Sequence, residues 1–202
     1  IGTITVTNSG GTTFSGAVGG SGDRVSSVVL TATTGTIEFS DNLYATGITN
    51  SAGSFVLKLL GSNTDITNAV TVGTSGNLYL GNGSDTLAFT GGLVATAPGR
   101  VYLGGTVTAT GTGVLNIGTL VTVSYSSTVG GTSTGAITLG AATLVDDVTL
   151  TVGAGAANAI SMSTVTGTTG GGASNLTINT TGAVTVGTVG TDIGTITVTN
   201  SG

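Results

Sequence analysis

Few residues in this chain can do chemistry, and the sharpest group is GNGSDTL at 81–87. Calcium-binding nonapeptide turns read G-G-x-G-x-D-x-apolar-x. Gly81, Gly83, Asp85 and Leu87 fit that spacing, with Leu80 in place of the first glycine. Asp85 is therefore the one metal-ligand candidate and calcium the one cofactor to consider. Calcium takes about six to eight oxygen ligands, supplied in such turns by successive coils. No second copy of the motif follows one period on. The competing reading is a Gly/Asn/Asp turn between LYL and LAF.

Other reactive combinations fail on residue types. The chain has no His and no Cys, which removes Ser/His and Cys/His nucleophilic pairs and the commonest zinc ligands. Asp146 and Asp147 form the one adjacent acid pair, in TLVDDVTL. Neighbours on a strand point to opposite faces, so this pair marks a corner rather than an acid–base couple. The lone Lys58, in VLKLLG, has the amine for an isopeptide bond to Asn or Asp, but strand alternation makes it an outward side chain between inward apolar ones. The sequons at Asn82, Asn175 and Asn179 are expected by accident in a chain this rich in Ser, Thr and Asn. Tyr44, Tyr79 and Tyr102 offer faces on which a sugar ring could stack, or else fill walls and corners. No clustered acids with a basic residue mark a polysaccharide-cleaving groove. The expectation is a protein that is not an enzyme, with no catalytic or cofactor-binding residues.

Composition narrows the scaffold that could carry these groups. Gly supplies 38 of 202 residues, charged residues only 5%, and the net charge is −5. Low charge with positive mean hydropathy is unlike a disordered chain, and the glycines show no collagen period. No apolar run is long enough for a membrane-spanning helix, and no basic patch offers nucleic acid a partner.

Hydrophobic alternation has a period of two almost everywhere, as in Ile4-Thr5-Val6, Ile37-Glu38-Phe39, Leu78-Tyr79-Leu80 and Ile137-Thr138-Leu139. That is the pattern of strands with one buried face, and β-branched Thr and Val suit it. Many strands open with Gly-x-apolar-x-apolar, at Gly2, Gly35, Gly53, Gly76, Gly99, Gly113, Gly135, Gly182 and Gly194. Several intervals lie near 20 residues (18, 23, 23 and 22), while Gly99 to Gly113 is only 14. Short strands at such spacing mark a β-solenoid, in which one coil buries its inward residues only by stacking on the next. Glycine is expected to supply positive φ at the corners. The fold expected is all-β, a right-handed parallel β-helix of roughly nine coils per 192 residues, rising about 43 Å. The alternative is a pair of tandem Ig-like β-sandwiches of about 96 residues each.

Residues 1–10, IGTITVTNSG, return letter for letter at 193–202. Residues 1–192 are therefore read as one solenoid repeat unit and 193–202 as the start of the next identical repeat, in a chain cut from something longer.

Residues 10–39, 143–168 and 174–189 resemble the β-strand repeats of giant bacterial surface proteins, as in filamentous-haemagglutinin-like adhesins and autotransporter-associated repeats. The likeness is one of texture, without a diagnostic residue. It implies secretion, a right-handed parallel β-helix and a role as rod, fibre or adhesin stalk at the cell surface. The function expected is a structural unit of an extracellular fibre or sheath. Its partners are neighbouring identical repeats or subunits end to end, and low charge permits lateral bundling. The rival is an adhesin module that binds glycans or surfaces.

Overall fold

Alternating apolar and small polar residues dictate strands, and the glycine-centred breaks dictate where the chain turns. A computed structural model describes residues 2–31 and 33–200. Ile1, Ala32, Ser201 and Gly202 lie outside the described residues, so the returning decapeptide is seen as residues 193–200. The described chain is all-β: β1 (Thr3–Thr7), β2 (Gly11–Phe14), β3 (Ser27–Thr31), β4 (Thr36–Phe39), β5 (Leu43–Ala45), β6 (Ile48–Asn50), β7 (Val56–Leu59), β8 (Asn63–Ile66), β9 (Val70–Thr71), β10 (Asn77–Phe89), β11 (Gly92–Ala95), β12 (Arg100–Ala109), β13 (Val114–Val123), β14 (Ser127–Gly131), β15 (Ile137–Leu144), β16 (Thr149–Val152), β17 (Ile160–Gly167), β18 (Ser174–Asn179), β19 (Val184–Val189) and β20 (Ile193–Thr199). No helix among these residues is long and apolar enough to cross a membrane.

The strands stack as a parallel β-solenoid of about nine turns with three faces. Face A carries β1, β3 and β6, then β9, β11 and the leading halves of β13, β15, β17 and β19. Face B carries β2, β4 and β7, the leading halves of β10 and β12, and the trailing halves of β13, β15, β17 and β19. Face C carries β5 and β8, the trailing halves of β10 and β12, then β14, β16, β18 and β20. The first coil reaches face C through single bridges at Val18 and Val25. Every pairing between named strands is parallel, which overturns the sandwich alternative: Ig-like domains need antiparallel sheets.

In-register stacking turns the alternation of each strand into columns. On face B, Ile37, Leu57, Leu78, Val101, Val121, Ala142 and Val165 follow one another coil by coil, and all are buried. Outward on face C runs a threonine ladder, Thr86, Thr106, Thr128, Thr151, Thr177 and Thr197. Like β-branched residues at one level pack well on those above and below. Between β6 and β9 the ladder of face A is bridged by a side chain: Asn50 Nδ2 donates to the Thr71 carbonyl at 2.9 Å, and the Gly73 N–H donates to Asn50 Oδ1 at 2.6 Å.

The glycine signature belongs to corners, where positive φ is supplied by other glycines, among them Gly81, Gly111 and Gly118. None of Gly35, Gly76, Gly113, Gly135 and Gly182 has positive φ. They are glycine because coils touch at the corners: a Cβ on Gly76 would overlap the carbonyl oxygen of Phe55 one coil below, and one on Gly182 that of Asn158. The uneven spacing has an equally local cause. Gly35, Gly76 and Gly99 lead strands of face B, whereas Gly113, Gly135 and Gly182 precede strands of face A. The short interval after Gly99 is the place where the motif moves to another corner.

Candidate functional site

A cleft of about 420 Å³ lies where face B turns toward face C. Outward positions alternate with inward ones, so the middle residue of each face B strand reaches solvent. Glu38, Lys58, Tyr79, Tyr102 and Thr122 thereby form one outward row in strict register on β4, β7, β10, β12 and β13. The rings of Tyr79 and Tyr102 stack 4.4 Å apart and 7° from coplanar. Lys58 Nζ stands 5.6 Å from the Tyr79 ring centroid and 3.1 Å from Glu38 Oε2. The Ser40 hydroxyl donates to Glu38 Oε1 at 2.7 Å. That bond first, and the Lys58 ammonium second, hold the Glu38 carboxyl below its ordinary range. Arg100, on the neighbouring outward column, donates to Thr122 Oγ1 at 2.9 Å.

Tyr125 completes the cleft from the corner after β13, where it is 50% exposed. It was not among the sequence candidates, although the spacing held a signal: Tyr79, Tyr102 and Tyr125 are separated by 23 and 23 residues. A third stacked ring does not result. β12 pairs with β13 so that Thr122 lies opposite Tyr102, which carries Tyr125 on to the corner and leaves an open slot beside Tyr102. The slot offers an aromatic face and the Asn82 and Ser124 corners, and Lys58 lines the cleft farther along, beyond the Tyr79 ring.

The remaining candidates are scattered. Asp85 is 8% exposed, and its Oδ2 accepts the N–H of Asn82 at 2.8 Å. The GNGSDTL stretch is the corner of β10 between faces B and C, where the pairing to β12 shifts between Leu80 and Asp85. No group of three His, Cys, Asp or Glu residues able to hold a metal ion occurs among the described residues. Asp146 and Asp147 sit on the corner between β15 and β16; Thr168 Oγ1 donates to Asp146 Oδ1. Tyr44 is distant from the tyrosine pair in sequence and packs under Arg24, whose guanidinium is 6.0 Å from its ring centroid and bridges to Asp65. Asn82 is exposed, while Asn175 and Asn179 are half-buried.

Among the described residues, the two copies of the decapeptide strand differ in partner, β1 pairing with β3 and β20 with β18. Ile196 and Val198 on β20 are 51% and 52% exposed, whereas Val6, the counterpart of Val198 in the first copy of the decapeptide, is 8% exposed under β3.

No protein-family model, curated protein or solved structure matches the chain. What it does must be read from its geometry.

Proposed function

We propose that the protein is a structural unit of an extracellular fibre, sheath or adhesin stalk that continues end to end by parallel strand stacking. The observation that carries this reading is the return of one decapeptide as a parallel strand of the same column, at Thr3–Thr7 and again at Ile193–Thr199. A coil buries its inward residues only against the next, and a strand that repeats an earlier one accepts the partner the earlier one had. Low charge, 5% of residues, removes the repulsion that would keep rods apart. The absence of Cys leaves no thiol to oxidise outside the cell. Antibody against the chain is expected to decorate thin rods on the surface of producing cells in electron micrographs; label confined to the cell interior sinks this reading.

A second reading, an adhesin module for glycans, is favoured by the slot between Tyr102 and Tyr125. Sugars stack on such rings through their apolar faces while hydroxyls meet Asn82 and Ser124. A glycan array probed with the chain and with Tyr125→Ala tests it: binding that Tyr125→Ala removes supports the reading, and an array without signal ends it.

A further inference from the structure

We infer that consecutive units of this chain meet at a seam displaced by one third of a turn, the strand at residues 193–199 of one unit being the first strand of the next. The inference deepens the fibre reading and rests on it. The observation behind it is a mismatch between sequence and geometry. Residues 1–10 and 193–202 are identical, yet Thr3–Thr7 lies on face A, in column with β3 and β6, and Ile193–Thr199 lies on face C, in column with β18 and β16. The path runs A to B to C. From the first strand of the first coil to the last strand of the ninth is eight full turns and two thirds of another.

The same ten residues serve on either face because each face asks the same of them. Ile4 and Val6 point at the core in the first coil. Ile196 and Val198 stand in register over Leu176 and Ile178, which are buried at 1% and 2% exposure. The inward residues are thus the same pair, and the hydrogen bonds of a parallel ladder are made by backbone whatever the side chains. What then covers β20 is written in the first coil. β3 lies on β1 with Ile4 opposite Val28 and Val6 opposite Leu30. The next unit's Val28 and Leu30 meet Ile196 and Val198 in that register and bury them.

The seam changes what the fibre displays. The next unit's face A strands fall on face C of the first, and its face B strands on face A. Its Tyr79–Tyr102 pair therefore lies above the outward Val94–Asn116 column of face A instead of above the first tyrosine pair. Three units restore the original setting. The tyrosine slot is shown on the three sides of the rod in turn, whereas a whole number of coils per unit would line every slot along one side. With coils about 4.8 Å apart, one unit advances about 42 Å and the full repeat about 125 Å.

The test is a chain of three consecutive 192-residue units closed by residues 193–202, imaged by cryo-electron microscopy at side-chain resolution. The expected map is an unbroken column with the second tyrosine pair on face A and the third on face C. An unbroken column with all three pairs on face B overturns the displaced seam and leaves the fibre reading standing. Separate bodies joined by hinges overturn both. Cysteine cross-linking reads the same point without a map, since the chain has no Cys of its own. In a two-unit chain, Thr177→Cys with Thr197→Cys of the first unit is expected to close a disulfide, because those positions are neighbours on face C. Closure of Thr185→Cys with Thr197→Cys instead places the segment on face A and sinks the inference.

Discussion

Tyr79 and Tyr102 lie opposite each other on β10 and β12 with rings 4.4 Å apart, an aromatic stack imposed by parallel register rather than by sequence neighbourhood. Such a pair contributes about 0.5–1.5 kcal/mol beyond the area it covers. A double-mutant cycle of Tyr79→Ala and Tyr102→Ala, followed by chemical denaturation, is expected to return a coupling in that range. Tyr125→Ala is expected to change stability by less than about 0.5 kcal/mol, because half of that side chain is in solvent. Coupling near zero between Tyr79 and Tyr102 would show that the rings merely pass each other.

Corner glycines divide into two kinds. A Cβ on Gly135 would overlap the carbonyl oxygen of Gly113 in the coil below, while a Cβ on Gly83 meets nothing within 4 Å. Gly135→Ala is expected to cost about 2 kcal/mol or more, as overpacking against backbone does. Gly83→Ala is expected to be neutral or to stabilise by a few tenths of a kcal/mol, through the less flexible unfolded chain. Equal melting temperatures for the two variants would refute the close-approach account of the signature.

Beneath the corner from face C to face A runs a buried polar chain. Asn158 Nδ2 donates to the Ser133 and Gly135 carbonyls at 2.6 and 2.7 Å, and Thr180 Oγ1 donates to the Asn158 carbonyl at 2.6 Å. Asn158→Ala strands two carbonyls and is expected to cost about 1–3 kcal/mol. Asn158→Asp should cost more, since a carboxylate would face those same oxygens. Denaturation midpoints that rank the two variants the other way round would mean that water reaches this corner.

Acid should weaken the outward row of face B. Glu38 is held below the ordinary glutamate range, first by Ser40 and then by Lys58. A carboxyl whose folded value is depressed contributes stability above its unfolded pKa, about 4.3, and that contribution drains away as pH falls through the lower folded value. The pair is part-exposed, so the loss is expected to stay below about 1 kcal/mol. Glu38→Gln is expected to flatten this part of the stability–pH curve. An unchanged acid limb in that variant would assign the loss to other carboxylates.

Much of the architecture was legible in the residues. Alternation at Ile37-Glu38-Phe39 and Leu78-Tyr79-Leu80 specifies strands, their inward side chains and the outward setting of Lys58, because a strand's period is set by its own backbone. Asp146 and Asp147 were readable as a corner for the same local reason. Stacking in coils followed from motif spacing, since a half-buried strand needs a neighbour that repeats its pattern.

Which face each strand occupies was not legible, because face is a running sum of strand and corner lengths, and one added residue changes everything downstream. The glycine signature thus moves from one corner to another after Gly99 without any change in its letters. Tyr125 keeps the 23-residue spacing of Tyr79 and Tyr102, but the shorter coil before β13 seats Thr122 in the stack and opens the slot. The decapeptide is the plainest case: one sequence determines a strand with Ile and Val inward, at residues 3–7 and again at 195–199. Only the winding of the residues between them decided that the first lies on face A and the second on face C, since strand pairing is made by backbone and accepts the same side chains on any side of the column.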